Sequence, residues 1–278
     1  MIDEVPRSRV ARVAAETALV RIVHHYGERP EFVVLGGLVP ELLCSASSYR
    51  HAGTTDVDVQ VDLEIAGGSI SAARLERALR NADFVPDDEH VWRWVADGLE
   101  SPAIVKFELL ADLDDQPDGS TLVFDGCERL GAANLRGTGF AARDLEVREL
   151  RAKIGGVMNV AEVNVSGLAG FLLAKSHAAR SRRRQKDWYD IAFVLLHNDA
   201  GGPEAAVAAV RDRFRDDISG STRSAIEDLR ANFAASGAQG PMAYVEQMLL
   251  DHPDLERTVI AADAVVAVER FCEQVLAR

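Results

Sequence analysis

The stretch TTDVDVQVDLEI, residues 54–65, decides how this chain is read. Val57, Val59, Val61, Leu63 and Ile65 share one parity, and Asp56, Asp58, Gln60, Asp62 and Glu64 share the other. Such alternation predicts a β-strand with one buried face. The other face carries four carboxylates and no cation, and like charges on one face weaken a strand. Asp56 and Asp58 point the same way, about 7 Å apart at Cα. That reach suits hard divalent cations about 3.5–4 Å apart that share oxygen ligands. Mg²⁺ or Mn²⁺ at this face would turn the repulsion into attraction. Asp62 and Glu64 lie roughly 13 and 20 Å beyond Asp58 and read as solvated or edge-protecting charges.

Outward from this stretch, EFVVLGG (31–37) predicts a short buried strand ending in Gly36 and Gly37, followed by a helix over LVPELLCSAS (38–47). Glycines there let backbone approach phosphate oxygens, and a helix N-terminus adds N–H donors. Downstream, VKFELL (105–110) places Glu108 between apolar residues of a strand and supplies a third carboxylate, with Asp112 in reserve. A strand–Gly-Gly–helix, then a D-x-D strand, then a third acidic strand outlines a site for nucleotidyl transfer. Its phosphates lie at the turn and its metals at Asp56, Asp58 and Glu108.

The chain has 278 residues, 31 basic against 44 acidic, and a formal net charge of −13. A globally acidic protein is not built to coat nucleic acid nonspecifically, so any such contact must come from a local basic patch. Cys44, Cys127 and Cys272 form no metal-binding spacing, which predicts a reducing, cytoplasmic setting. No apolar run approaches the roughly 20 residues that span a bilayer.

An amphipathic helix is predicted over 7–27, with Val10, Val13, Ala14, Ala18, Ile22 and His25 along one side. Another follows over 67–84. HVWRWVA (90–96) and AIVKFELLAD (103–112) predict neighbouring strands. TLVF, LEVRELRAKI and EVNV predict further ones. From Ser166 the pattern turns helical to the end of the chain. The expected fold is α/β: a small mixed sheet core flanked by helices over 1–165, then a helical domain over 166–278 that completes the cleft.

These motifs resemble those of the DNA polymerase β-type nucleotidyltransferase superfamily, hG[GS] … Dh[DE]h … h[DE]h, with LGG, TDVDV and FEL standing for its three parts. LLAKSHAARSRRRQKDWYDIAFVL (172–195) narrows the likeness. It resembles a stretch of the AbiEii-like nucleotidyltransferases, which include toxins of type IV toxin–antitoxin and abortive-infection systems. Lys175, Ala178, Arg182, Lys186, Asp187 and Asp190 fall on that stretch's marked positions. Three departures stand out. Gly37 replaces a frequent serine, 18 residues separate Gly37 from Asp56, and the third carboxylate is Glu.

The resemblance implies transfer of a nucleoside monophosphate from an NTP to an acceptor hydroxyl. Asp56, Asp58, Glu108, Lys175 and Asp190 would be the catalytic set. Gly36, Gly37, Thr55, Arg182, Lys186 and Asp187 would bind nucleotide. It also implies a toxin-like role, with the tRNA 3′ end as acceptor and a cognate antitoxin as partner. Arg180, Arg182, Arg183, Arg184 and Lys186 form the local basic patch that a tRNA would need. The alternatives are a small-molecule (aminoglycoside-like) nucleotidyltransferase and a non-catalytic regulatory module on the same fold. Trp188 and Tyr189 read either as packing residues or as rings that stack a base. Arg93 reads equally as a nucleotide contact or a strand-edge charge.

Overall fold

Strong alternation forms strand wherever the structure describes it. The computed structural model describes residues 8–61, 69–96 and 103–277. Asp62 and Glu64 lie outside the described residues. In chain order come α1 (Arg9–Tyr26), β1 (Val33–Leu35), α2 (Val39–Leu43), β2 (Asp56–Gln60) and α3 (Ser69–Asn81). Next are β3 (Val85–Pro86), β4 (Arg93–Ala96), β5 (Val105–Ala111), β6 (Thr121–Val123) and β7 (Gly131–Asn134). Then follow α4 (Gly139–Arg143), β8 (Leu145–Ile154) and β9 (Val157–Ser166). The rest is helical: α5 (Leu168–Arg182), α6 (Gln185–His197), α7 (Pro203–Phe214), α8 (Gly220–Asn232), α9 (Gln239–Asp251) and α10 (Arg257–Leu276).

The chain is α/β, with a mixed sheet and a helical second half. The described residues divide into two compact units. One is drawn from Met1–Val39 and Gly53–Ser166, the other from Pro40–Ala52 and Gly167–Arg278.

In the first unit the main path of the sheet is β3-β4-β5-β2-β1-β9-β8, and β7 joins β5 with β6 beside it. β2 runs parallel to β5 and antiparallel to β1. Val57, Val59, Phe107 and Leu109 are fully buried on one face. Helix α1 packs on the sheet and α3 packs on α1. The buried side of α1 is Ala11, Ala14, Ala15, Ala18, Leu19, Ile22, Val23 and Tyr26. Val10, Val13 and His25 are exposed, which corrects the sequence expectation. The alanines let the helix axis lie close to the sheet, and that selects the small-residue stripe over the valines. On the opposite face of the sheet, Val33, Leu35, Leu110 and Ala133 cluster with Ala141 of α4. The charged positions of β2 and β5 share this second face with Leu35 and Leu110, by register.

The second unit contains α5–α10 together with the excursion Pro40–Ala52, which a single boundary near residue 165 would leave with the sheet. Hydrogen bonds hold the excursion there. Asp199 accepts from Ser45 N (2.9 Å), Ser45 Oγ (2.6 Å) and Ala46 N (2.8 Å), and donates its own N–H to Leu43 O (2.8 Å). Ala52 N donates to Tyr189 Oη at 3.1 Å. The ring of Tyr49 meets His252 edge-on at 5.0 Å, beside His197. Trp188 and Tyr189 are buried, which makes them core residues of α6. Among the described residues no helix is long and apolar enough to cross a membrane.

Candidate active site

Asp56 and Asp58 face the same way from β2 and are half-buried, while Val57 between them is buried. Asp58 is in register with Leu35 of β1 on one side and with Glu108 of β5 on the other. The Gly36–Leu38 turn leaves β1 directly beside it. Gly36 takes a left-handed φ of 73°, and a Cβ there would overlap the Asp58 carboxylate. A Cβ on Gly37 would come 2.8 Å from Thr54 Cβ. The two glycines are therefore required first by packing: they let the D-x-D strand and the residue leading into it lie against the turn. Thr54 Oγ1 accepts from Asp56 N at 3.0 Å, and the half-buried Thr55 presents its carbonyl to Lys106 N at 3.2 Å. Buried Arg12, paired with Glu16, donates to Leu38 O at 3.1 Å and braces the turn from α1.

The charged face of the sheet is not uniformly acidic. Lys106 is in register with Asp56, and its Nζ lies 3.9 Å from Asp56 Oδ1. Arg93 of β4 is in register with Glu108 and donates from Nε to Glu108 Oε1 at 2.7 Å. The neighbouring strands thus supply the cations that TTDVDVQVDLEI lacks. Lys106 was legible in advance, since it shares Glu108's parity in VKFELL. Arg93 pairs inside the sheet, with β3 beyond it, so it is not an edge charge.

Asp56 and Asp58 offer hard oxygen donors of the kind Mg²⁺ or Mn²⁺ takes, and that donor chemistry fits an ion at these two residues. Glu108 is engaged by Arg93. Among the described residues no three His, Cys, Asp or Glu side chains are grouped closely enough to hold a metal ion. Asp112, the reserve third carboxylate, does another job. Its Oδ2 accepts from Gly137 N (2.9 Å) and Gly139 N (3.0 Å), which fixes the entry to α4. Burial raises its pKa above the usual carboxylate value, against the lowering effect of those two N–H donors.

The remaining site candidates lie in the second unit. Lys175 of α5 is buried and bonds Asp187 Oδ1 at 3.0 Å and Asp190 Oδ2 at 2.7 Å, both on α6. Arg182 adds Nε to Asp187 Oδ2 at 2.7 Å and Nη2 to Oδ1 at 2.8 Å. His51 Nε2 lies 2.9 Å from Asp190 Oδ1, and its ring stacks on Tyr189. Burial pulls the Lys175 pKa down, the Asp190 and Asp187 charges lift it, and the balance leaves it above the ordinary ammonium value. Burial raises that of Asp187, but the Lys175 charge and the Arg182 hydrogen bond and charge bring it below the ordinary carboxylate value.

Sequence reasoning missed His51, because only its partner 139 residues away marks it out. Of the basic patch, Arg180 donates to Ser221 O at 3.2 Å and Arg183 bonds Asp228 at 2.8 Å. Arg184 is exposed and Lys186 half-buried.

No family model and no curated protein matches this chain. Among solved structures it is similar to an antigenic nucleotidyltransferase-like protein from Paracoccidioides brasiliensis. The identity is 17%, the match covers 79% of this chain and 95% of that one, and the TM-score is 0.40.

Proposed function

We propose that the protein is a metal-dependent nucleotidyltransferase. The observation that carries the reading is local: Asp56 and Asp58 share one face of β2, and the Asp58 carboxylate lies over Gly36 in the strand-to-turn junction. In this reading an acceptor hydroxyl attacks the α-phosphorus of an NTP, the bond to the bridging oxygen breaks, and pyrophosphate leaves. Asp56 and Asp58 would hold Mg²⁺ or Mn²⁺, which would offset phosphate charge when bound. The turn after Gly36 brings backbone close to the phosphates. Arg12 keeps that turn in place through Leu38 O.

The acceptor in this proposal is the 3′ end of a tRNA. That choice, the antitoxin partner and the toxin-like role rest on the motif resemblance. A second acceptor class, a small cationic molecule such as an aminoglycoside, is favoured by the net charge of −13 and by the internal bonds of Arg180, Arg182 and Arg183. One experiment separates these readings. The chain is incubated with each α-labelled NTP, Mg²⁺ and either total tRNA or an aminoglycoside panel, beside Asp58→Asn. Label on RNA or drug that disappears with Asp58→Asn supports transfer and names the acceptor. No transfer to any acceptor, or equal transfer by Asp58→Asn, removes the proposal.

A further inference from the structure

Arg93 is held in one orientation by two contacts. Its Nε donates to Glu108 Oε1 at 2.7 Å, and its Cζ lies 4.6 Å from the centre of the Trp92 ring. The first contact fixes the edge of the guanidinium and the second seats it over the indole ring. The Nε bond uses one N–H of the five in the fork. The two terminal nitrogens bond no described residue through the side chain. The side chain keeps 23% of its exposure.

Register places this group in relation to the aspartates. Arg93 pairs with Glu108 and Glu108 pairs with Asp58, so the three side chains stand in a row across three adjacent strands on one face. Adjacent strands are about 4.8 Å apart, so the backbone of Arg93 lies about 10 Å from that of Asp58. A guanidinium held in that row stands on the same face as the aspartates, where a polyphosphate bound at them would meet it. Its planar fork matches phosphate oxygens, and preorganisation reduces the entropy lost on binding.

From this we infer that Arg93 is the phosphate-binding arginine of this face, and that Glu108 positions it rather than serving as a third metal ligand. The ligand class is a polyphosphate ester, of which an NTP is the case required by the proposed function, and to that extent the inference rests on that reading. Trp92 serves as the plate on which the guanidinium lies. Lys106, 3.9 Å from Asp56 on a flexible stem, makes a looser contact and acts as a movable counter-charge.

The test is calorimetric titration of the full chain with two probes, Mn²⁺ alone and inorganic tripolyphosphate in excess Mg²⁺, with melting curves to confirm folding. Arg93→Gln should weaken tripolyphosphate about tenfold or more, the size expected from losing a charge-assisted fork, and leave Mn²⁺ within about twofold. Arg93→Lys keeps the charge without the fork and should fall between. Glu108→Gln should weaken tripolyphosphate severalfold and leave Mn²⁺ unchanged.

If Glu108→Gln weakens Mn²⁺ tenfold, Glu108 is a metal ligand and the inference is overturned. Equal tripolyphosphate binding by Arg93→Gln, or none by the wild type, overturns it as well. Failure of the broader reading looks different. If the wild type binds tripolyphosphate through Arg93 yet transfers nothing from any NTP, the transferase proposal falls and the role of Arg93 stands. If transfer occurs while Arg93→Gln binds like wild type, the reverse holds.

Discussion

Two clusters of charge in this protein use the same residue types to opposite ends. On the sheet face, Asp56, Glu108, Lys106 and Arg93 are partly exposed, and the Lys106–Asp56 pair is stretched to 3.9 Å. Among the helices, Lys175, Asp187, Asp190 and His51 are almost wholly removed from solvent, and their ion pairs with one another and with Arg182 are 2.7–3.0 Å long. Partly solvated charges can exchange one partner for another at little cost. Charges without solvent cannot, because a lone buried ion costs several kcal/mol. The difference separates a partly solvated face, whose charges can change partners, from a buried cluster that ties α5 to α6 and to His51; both motifs read as catalytic in the sequence.

The comparison breaks first at Lys175. Lys175→Met leaves Asp187 and Asp190 buried without their shared cation, so stability should fall by about 3–5 kcal/mol, measured by chemical denaturation at pH 7. A loss below about 1 kcal/mol would mean that the cluster is solvated after all. Its pH limits should also be wide. The lowered Asp187 pKa contributes stability that is present above the unfolded value near 4 and lost as pH falls through the folded one. The raised Lys175 pKa contributes stability that is full below about 10.4 and lost only above it.

His197 sharpens the comparison within the same unit, because it is half-buried and its Nε2 meets Tyr244 Oη at 2.9 Å rather than a carboxylate. Burial first, and the His252 charge second, lower its pKa from 6.5 to about 4. The unfolded chain therefore binds a proton that the folded one refuses. Stability should be full above pH 6.5 and fall by up to about 3 kcal/mol toward pH 4. His197→Gln should flatten that slope in melting temperature against pH. An unchanged slope would assign it to other groups.

On the sheet face the coupling is steric instead. Gly36→Ala should cost about 1–3 kcal/mol, from a left-handed φ and the overlap with Asp58. Combined with Asp58→Ala, the loss should shrink toward the backbone strain alone. Strict additivity in that double-mutant cycle would show that the carboxylate does not lean on the turn. The smallest effect is expected at Lys106. Lys106→Met should change stability by less than about 1 kcal/mol, and 1 M salt should erase the difference.

How much of this was legible follows from where each signal sits. β2 announces itself by local alternation, so its pattern can be read from one segment, whereas the buried side of α1 could not be read that way and α5 is buried along the continuous run Leu168–Ser176. β7, with the sequence GAAN, does not announce itself, because four small residues that are all buried carry no alternation. The carboxylates of Asp56 and Asp58 could be put on one face from parity alone. The counter-charge of Glu108 could not, since Arg93 meets it through strand register across 15 residues. His51 and the excursion 40–52 were invisible for the same reason, at longer range.

That excursion has a consequence in time. A ribosome delivers the chain from the N-terminus at about 5–20 residues per second. His51 waits 139 residues for Asp190, and Ser45 waits 154 for Asp199. For roughly 7–30 s, then, the nascent chain carries Pro40–Ala52 with its partners not yet made, while the strands on either side of it are already free to pair. Any chaperone that attends the birth of this protein has its clearest opening at Tyr49, before His197 of α6 and His252 are translated to meet its ring.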